Sequence, residues 1–230
     1  MINIYVGYDP REAIAYHVFC QSLLSKTSEP VSFTPLALKA IKGIYKETHT
    51  DGSNAFIYSR FLVPYLQGFK GWAIFVDGDM ICEEDIAKLF ELRNYRAAVC
   101  VVKHNYKTKH PTKYLGNKNE DYPKKNWSSV ILWNCEHPSN SVLTPEYIES
   151  NSGKHLHRFE WLDDNEIYEL PIEWNWLDSE YQDKDVNLIH YTIGTPCFTD
   201  YQDKGQADKW WKEYHDAIEP LTGNGKDATC

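Results

Sequence analysis

Ile74-Phe75-Val76-Asp77-Gly78-Asp79-Met80-Ile81 is an apolar run broken by two carboxylates that flank one glycine. The apolar part predicts a buried strand. Asp77 and Asp79 then lie together at the strand end, where their charges repel unless a cation lies between them. Carboxylate oxygens suit a hard divalent cation, and Gly78 allows a second backbone or a phosphate to approach closely. The pattern is typical of enzymes that handle a metal-bound nucleotide diphosphate, although a capped strand followed by a turn has the same appearance.

The composition describes a folded, acidic chain. Of its 230 residues, 42% are hydrophobic and 14% are aromatic, which is typical of a globule rather than a disordered segment. The net charge of −9 argues against a nucleic-acid partner, because such a partner requires a basic surface. Met1 leads directly into a strand-like run, so we expect no signal peptide, no transmembrane segment and a cytoplasmic location. The six cysteines are scattered and are expected to be reduced.

Apolar runs alternate with helical patterns along the chain. Strands are predicted at residues 2–6, 31–36, 72–76, 97–102 and 130–133, and helices at residues 12–25 and 53–62. This alternation predicts an α/β fold, namely a single Rossmann-like domain with a mostly parallel central sheet flanked by helices. Ligand sites in such sheets lie at the carboxyl ends of the strands, and the acidic pair falls at such an end.

A second group of polar residues follows a later apolar run. His190 ends a strand-like segment and is followed by a turn that contains Gly194 and Thr195. A histidine in this position is often a hydrogen-bonded structural residue. Together with Asp77 and Asp79, however, it would complete a ligand set suited to Mn²⁺ or Mg²⁺, with positions left for two phosphate oxygens. The backbone N–H groups of Gly194 and Thr195 could then donate to the same phosphates.

Four segments, in this order, carry a family resemblance. They are Ser59-Arg60-Phe61, Phe75-Val76-Asp77-Gly78-Asp79, residues 126–134 and residues 190–196. The chain resembles glycosyltransferase family 8, the glycogenin-like and bacterial galactosyltransferase-like enzymes, and looks like an outlying bacterial or viral branch of it. The resemblance implies a GT-A fold, a nucleotide-sugar donor and a divalent metal ion.

The chain departs from that family pattern at three places. Thr195 stands where the family has a lysine, so a cation for the leaving diphosphate must come from elsewhere, with Arg11, Arg60 and Lys103 as candidates. Ser128 and Ser129 replace a small Ala-Gly pair at the floor of the acceptor pocket. The family's Asp-Gln pair is missing, and residues 157–162 occupy roughly its place. These departures leave open whether the anomeric configuration is retained or inverted.

Other candidate site residues follow from their positions. Asp9, in the turn after the first strand, is placed to accept a hydrogen bond from a nucleobase or ribose, and a simple turn residue is the alternative. Arg60 could pair with a phosphate or the donor sugar, unless it is a solvated helix residue. Trp127 and Trp174 could stack on sugar faces, although most tryptophans in so aromatic a chain belong to the core. The family resemblance implies Glu160 as the reacting carboxylate, because its helix corresponds in order to that family's acceptor-side helix.

The predicted function is transfer of a hexose from a nucleotide sugar, expected to be a UDP-sugar, to a glycan or another hydroxyl acceptor. The GT-A domain is predicted to span residues 1–221, followed by a flexible tail at 222–230. Two other classes remain open at this stage: a phosphatase-like hydrolase with an Asp-X-Asp motif, and a non-catalytic module that binds sugars or nucleotides.

The segment 103–127 is a further candidate. It is longer than most connections in a compact domain, and such loops are often functional. Tyrosines and lysines are interleaved along it, the latter at Lys103, Lys107, Lys109, Lys113, Lys118, Lys124 and Lys125. We expect the loop to cover the bound donor and to bring a cation to the diphosphate, with a solvated basic loop as the alternative.

Overall fold

The computed structural model describes the backbone of residues 1–222 and the side chains of residues 1–219. The predicted tail at residues 222–230 lies outside the described residues except for Thr222, at which the last helix ends. Within the described part, no helix is both long enough and apolar enough to span a membrane.

Eleven strands and seven α-helices are described. The strands are β1 (Ile2–Gly7), β2 (Val31–Leu36), β3 (Trp72–Val76), β4 (Met80–Cys82), β5 (Val99–Val101), β6 (Thr112–Lys113), β7 (Asn117–Lys118), β8 (Val130–Asn134), β9 (Ile167–Glu169), β10 (Trp176–Leu177) and β11 (Leu188–His190). The helices are α1 (Ala13–Leu24), α2 (Leu38–Ile41), α3 (Val63–Leu66), α4 (Ile86–Glu91), α5 (Pro145–Ser150), α6 (Gly153–His157) and α7 (Ala207–Thr222).

The central sheet has six strands in the order β2-β1-β3-β8-β5-β9. The β1 strand pairs in parallel with both β2 and β3, and β5 pairs in parallel with β9. Only β8 in this sheet runs antiparallel to its neighbours, β3 and β5. The sheet is therefore mostly parallel and flanked by helices, which confirms the predicted α/β fold class.

The continuous apolar run of β3 is explained by burial on both faces of the sheet. Ala73 and Phe75 contribute to one hydrophobic core, together with residues from segment 56–63. Trp72, Ile74 and Val76 contribute to a second core, which α1 covers. Both cores hold β3 rigidly, and the acidic pair begins directly after its last residue, Val76.

A second, smaller sheet joins the two polar motifs. Its strand order is β10-β11-β4, and β4 begins directly after the acidic pair. Because β4 pairs antiparallel with β11, His190 lies opposite Met80. The backbone N–H of Tyr191 also donates to the carbonyl oxygen of Asp79 at 3.0 Å. This pairing brings together residues more than a hundred positions apart in the sequence.

Some predicted elements differ from the structure. Residues 53–62 do not form an α-helix: turns lead into a 3₁₀-helix at Ser59–Leu62, and α3 begins immediately after it. Pro64 occupies the first turn of α3, where its missing N–H costs no hydrogen bond, so the helix begins there. A short helix, α2, forms where no element was predicted, and the strand predicted at 97–102 is reduced to β5.

Candidate active site

The acidic pair follows β3 in a turn that is packed against the start of the chain. The backbone N–H of Asp77 donates to the carbonyl oxygen of Ser129 at 2.9 Å, which fixes the turn to the β8 side of the sheet. A Cβ on Gly78 would lie 2.3 Å from the carbonyl oxygen of Gly7. A glycine is therefore required at position 78 because a second backbone approaches it closely. The sequence had suggested either a second backbone or a phosphate as this close neighbour.

Asp77, Asp79 and His190 converge. One potential ligand atom from each lies within 4.8 Å of the others. Nε2 of His190 is 3.3 Å from Oδ1 of Asp79 and 3.8 Å from Oδ2 of Asp77. Two carboxylates and one imidazole form a donor set suited to a borderline or hard divalent ion. The predicted triad therefore exists as a candidate metal site.

Asn175 orients the histidine ring. Its Oδ1 lies 2.9 Å from Nδ1 of His190, and its own Nδ2 donates to the carbonyl oxygen of Asn126 at 3.0 Å. Because the second bond fixes the amide, Oδ1 is the acceptor and Nδ1 carries a proton, so Nε2 is the ring nitrogen that faces the carboxylates. Oδ1 of Asp79 is buried without a hydrogen-bond donor. Both features fit a site that holds a metal ion.

Arg60 compensates one of the two buried carboxylates. Arg60 as a whole is 3% exposed, which rules out the solvated alternative. Nη1 lies 2.8 Å from Oδ1 of Asp77 and donates to the carbonyl oxygen of Ser128 at 2.9 Å. The pKa of Asp77 is nevertheless raised to about 6, because burial outweighs the attraction of Arg60. Burial also opposes ionisation of Asp79, but His190 lowers the pKa of that carboxyl.

The site opens into two adjoining cavities. The inner cavity has a volume of about 60 Å³, and its lining includes Asp77, Asp79, His190 and Arg60. The outer cavity has a volume of about 330 Å³. The two share part of their lining, namely Ser53, Ile57, Lys113, Tyr122, Asn126, His157 and Thr192. A ligand that fills both would extend from the acidic pair towards the surface.

Ser128 and His157 form a polar pair between the two cavities. Oγ of Ser128 lies 2.7 Å from Nδ1 of His157, and Nε2 of that histidine is buried without a hydrogen-bond partner. Burial, reinforced by the charge of Arg60, lowers the pKa of His157 to about 3, so the ring is neutral at pH 7. Ser129 also lines the inner cavity. In the sequence, His157 stands out only because it begins the segment 157–162, which occupies the place of the missing Asp-Gln pair.

Glu12 is a buried carboxyl that sequence reasoning missed. Burial, then the charges of Asp79 and Asp9, raise its pKa to about 8. The hydroxyl of Thr195 donates to Oε2 of Glu12 at 3.4 Å, and Thr195 is itself fully buried. A polar residue at the start of a helix gives no sequence signal of such burial. Glu12 is mostly protonated at pH 7 and adds little negative charge beneath the acidic pair.

Asp9 and Arg11 are bound to each other and to the segment beside the site. The carboxylate of Asp9 accepts hydrogen bonds from the backbone and side chain of Arg11 and from the N–H of Ala55 at 2.9 Å. Arg11 also donates to the carbonyl oxygen of Ser53. These bonds occupy both oxygens of Asp9, so a structural role as a turn residue is enough to explain why it is buried. Contact with a nucleobase stays a prediction.

Trp174, Trp127, Lys103 and Glu160 are among the predicted residues that lie outside the linings of both cavities. Trp174 is buried in the second core, and Nε1 of Trp127 donates to the carbonyl oxygen of His104. The ammonium of Lys103 lies over the ring of Trp127, 5.6 Å from its centroid. Glu160 is exposed and its carboxylate lies 3.4 Å from His155. The structure therefore does not bring these four side chains to the acidic pair.

Gly194 continues the turn after His190. Its φ of 152° lies in a region that other residues rarely adopt, and a Cβ would lie 2.6 Å from the ring of Tyr201. Its backbone N–H donates to the carbonyl oxygen of Tyr191 at 3.0 Å. That N–H is therefore already bonded, and its predicted donation to a phosphate stays a prediction.

The loop at 103–127 forms one wall of both cavities. It contains the short hairpin of β6 and β7, and the N–H of Tyr114 donates to the carbonyl oxygen of Ile193 at 2.7 Å. The ring of Tyr114 stacks on Phe198 with centroids 5.0 Å apart. Nζ of Lys113 lies 3.5 Å from Oγ of Ser53, so this lysine reaches across to the opposite wall.

The sequence is similar to that of a plant protein. No protein-family model matches the sequence. Over 220 residues the chain is 41% identical to Protein CDI of Arabidopsis thaliana, an alignment that covers 92% of this chain and 85% of that protein.

Solved glycosyltransferases have a similar structure. WbbM, a bifunctional glycosyltransferase, has a TM-score of 0.67 at 13% identity, covering 96% of this chain and 51% of WbbM. GlyE of Streptococcus pneumoniae TIGR4 has a TM-score of 0.61 at 12% identity, covering 96% and 64%. The galactosyltransferase LgtC, solved with donor and acceptor sugar analogs, has a TM-score of 0.58 at 11% identity, covering 94% and 96%. The chain thus spans about half of WbbM and nearly all of LgtC, and it has the GT-A fold.

Proposed function

Because this chain belongs to the family of Protein CDI from Arabidopsis thaliana and has the GT-A fold, we propose that it is a metal-dependent glycosyltransferase. It transfers a hexose from a nucleotide sugar, most simply a UDP-sugar, to a hydroxyl group of a glycan or related acceptor. The observation that carries the proposal is the convergence of Asp77, Asp79 and His190 at the base of a cavity. Residues 1–221 form the catalytic domain.

In this proposal the three converging side chains hold Mn²⁺ or Mg²⁺. The bound ion supplies Lewis-acid neutralisation of the diphosphate leaving group. Asn175 keeps the imidazole of His190 in the tautomer that a ligand requires. Arg60 holds Asp77 in place through its contact of 2.8 Å and offsets the charge of the acidic pair.

Lys113 supplies the cation that the sequence lacks at position 195. It lines the inner cavity together with Asp77 and Asp79. Burial lowers the pKa of this lysine, while the same two carboxylates oppose the shift, so the ammonium lies within their electrostatic reach. Its position on the 103–127 loop means that the cation reaches the diphosphate only when the loop lies over the site. Lys113 therefore replaces Arg11 and Lys103 as the favoured candidate for this role.

The neutral pair of Ser128 and His157 lies beyond the acidic pair, where the transferred sugar would lie. The Ser128 hydroxyl and the free Nε2 of His157 offer hydrogen-bonding groups for sugar hydroxyls. A neutral imidazole at this place adds no charge that would compete with Lys113 for the diphosphate. Glu160, being exposed and directed at His155, is not assigned a role in the reaction.

The proposal is tested by incubating the protein with a panel of nucleotide sugars and Mn²⁺ and measuring release of free nucleoside diphosphate. The variant Asp79→Ala should lose metal-dependent turnover while remaining folded, because removing one of two like charges relieves repulsion in the metal-free site. The matched control is Asp183→Ala, which removes an exposed carboxylate far along the chain from the motif. It should leave turnover unchanged.

The outcomes separate the function classes. Release of nucleoside diphosphate that EDTA abolishes supports the proposal. Release of inorganic phosphate would point to a phosphatase-like hydrolase, and binding of a nucleotide sugar without any turnover would point to a binding module. Full turnover by Asp79→Ala under limiting metal would contradict a catalytic metal ion.

A further inference from the structure

The outer cavity carries a charge opposite to that of the whole protein. Its lining includes five cationic side chains, at Lys113, Lys118, Lys125, Lys154 and Arg158, against two acidic side chains, Asp51 and Glu120. The complete chain has 24 basic and 33 acidic residues and a net charge of −9. We propose that this cavity is the acceptor subsite and that it selects an acceptor with a negatively charged group, a carboxylate or a phosphate. The inference rests on the proposed glycosyltransferase function and names its acceptor class.

Most of these cations have no acidic partner among the described residues. Only Lys125 forms an ion pair, at 3.7 Å from Asp121. By contrast, Lys26, which lies away from the cavity, lies 2.7 Å from Glu213 and 3.7 Å from Glu83. Clustered cations repel one another unless an anion lies between them. In an acidic protein, unpaired positive charge around one concave surface is therefore suited to an anionic ligand.

The two acids in the lining, Asp51 and Glu120, offset only part of this charge, because five cations line the same cavity. Asp51 accepts a hydrogen bond from the hydroxyl of Tyr58, which holds the carboxylate on one side of the cavity. Lys154 and Arg158 lie on or directly after α6, on the side of Gly153 and His157. Lys118 approaches from the 103–127 loop. An anion between these two walls would meet cations from two separate segments of the chain.

The geometry favours the acceptor over the diphosphate as the occupant. The acidic pair and His190 line the inner cavity only, so the diphosphate belongs there. The outer cavity shares a wall with the inner one, including His157 and Thr192, and lies on the far side of that wall from the acidic pair. Its volume of about 330 Å³ is within the range of small-molecule sites. A sugar acceptor held there could direct a hydroxyl past His157 towards the donor.

The test uses the double variant Lys154→Gln/Arg158→Gln. Neither side chain forms an ion pair among the described residues, so the fold should tolerate both changes. The matched control is Lys39→Gln/Lys42→Gln, which removes the same charge from exposed positions on and after α2. The probes are methyl β-glucuronide and methyl β-glucoside, which differ in one carboxylate. Their binding is measured by calorimetry or ligand-observed NMR in the presence of UDP and Mn²⁺.

We expect the wild-type protein to bind the glucuronide more tightly than the glucoside, with a preference that weakens as salt is added. The cavity variant should reduce that preference by roughly tenfold, since two partly exposed charge pairs are each worth a modest amount. The control should retain the full preference. A wild-type protein that binds the two probes equally, or neither of them, overturns the inference.

Two further outcomes separate the inference from its premise. If UDP-glucuronate binds more tightly than UDP-glucose while the free glycosides show no preference, the anion belongs to the donor sugar and the acceptor assignment is wrong. If the protein turns over no nucleotide sugar but the cavity still selects the glucuronide through Lys154 and Arg158, anion binding stands and the glycosyltransferase proposal fails.

Discussion

Replacing Glu12 by glutamine should stabilise the metal-free protein, and increasingly so as the pH rises. Glu12 is 6% exposed, and the hydroxyl of Thr195 donates to its carboxyl group, with Tyr114 also nearby. Burial, together with the charges of Asp79 and Asp9, raises its pKa from 4.5 to about 8. Glutamine has nearly the same shape and no charge, and its amide can donate to the hydroxyl oxygens of Thr195 and Tyr114.

The direction of the pH dependence follows from the raised pKa. Below about pH 4.5 the carboxyl of Glu12 is protonated in both the folded and the unfolded chain, so it contributes no difference. Between about pH 4.5 and pH 8 the unfolded chain releases this proton while the folded chain keeps it, so the free energy of unfolding falls. At 1.36 kcal/mol per pKa unit, the loss reaches about 3 kcal/mol at pH 7, as an upper bound. Glu12→Gln removes the loss.

The measurement is urea unfolding of wild type and Glu12→Gln in EDTA, at several values between about pH 5 and pH 8. The difference in unfolding free energy should be near zero at the acid end and grow to between about 1 and 3 kcal/mol at pH 7. Glu29→Gln, at an exposed position, serves as the control and should show no such growth. A difference for Glu12→Gln that is constant across the pH range would refute the reasoning.

Three other predictions concern the turn, the histidine and the loop. Gly78→Ala places a Cβ 2.3 Å from the carbonyl oxygen of Gly7. It should therefore lower the free energy of unfolding by about 1–3 kcal/mol, measured by chemical denaturation. The control Gly43→Ala, which has no atom within 4 Å of the added Cβ, should be tolerated. Asn175→Ala removes the acceptor that orients the site histidine and should weaken Mn²⁺ binding by about 10–100-fold in calorimetry, with thermal unfolding in EDTA as the check on the fold. UDP with Mn²⁺ should slow limited proteolysis within 103–127, and equal cleavage rates in both states would rule out a lid.

Much of the sheet could be predicted because its strands are continuous apolar runs. The predicted bounds 31–36 and 72–76 agree with β2 and β3. The strand β3 is buried on both faces, so no alternation obscures it, whereas β2 is a partly buried edge strand. Because the end of the β3 apolar run is visible in the sequence, the acidic pair could be placed at a strand end. The direction of β8, however, depends on tertiary pairing, which a short apolar run does not encode.

The candidate metal site was predicted in its ligands but not in their supports. Asp77, Asp79 and His190 each carry a local signal, since a charged or polar residue directly after an apolar run is conspicuous. Glu12 carries none, because its importance arises only when the first turn of the chain packs beneath the site. Asn175 ends a run, Leu170 to Asn175, that resembles a family motif, but its hydrogen bond to His190 depends on tertiary packing. Supports of this kind are set by spatial neighbours, and single-sequence patterns describe only neighbours along the chain.

The substitution of threonine at position 195 and the lysine on the loop are physically connected. Thr195 is fully buried and donates to Glu12, so a lysine in its place would have to bury an ammonium next to a carboxyl that burial keeps largely protonated. Lys113 instead brings its charge from the opposite side, on a segment tied down by the bond from Tyr114 to Ile193. The cation is therefore supplied by Lys113 on the 103–127 loop rather than by a residue that follows β11. Donor affinity and loop ordering should accordingly be coupled, and Lys113→Gln should reduce both the affinity for UDP and the protection from proteolysis that UDP confers.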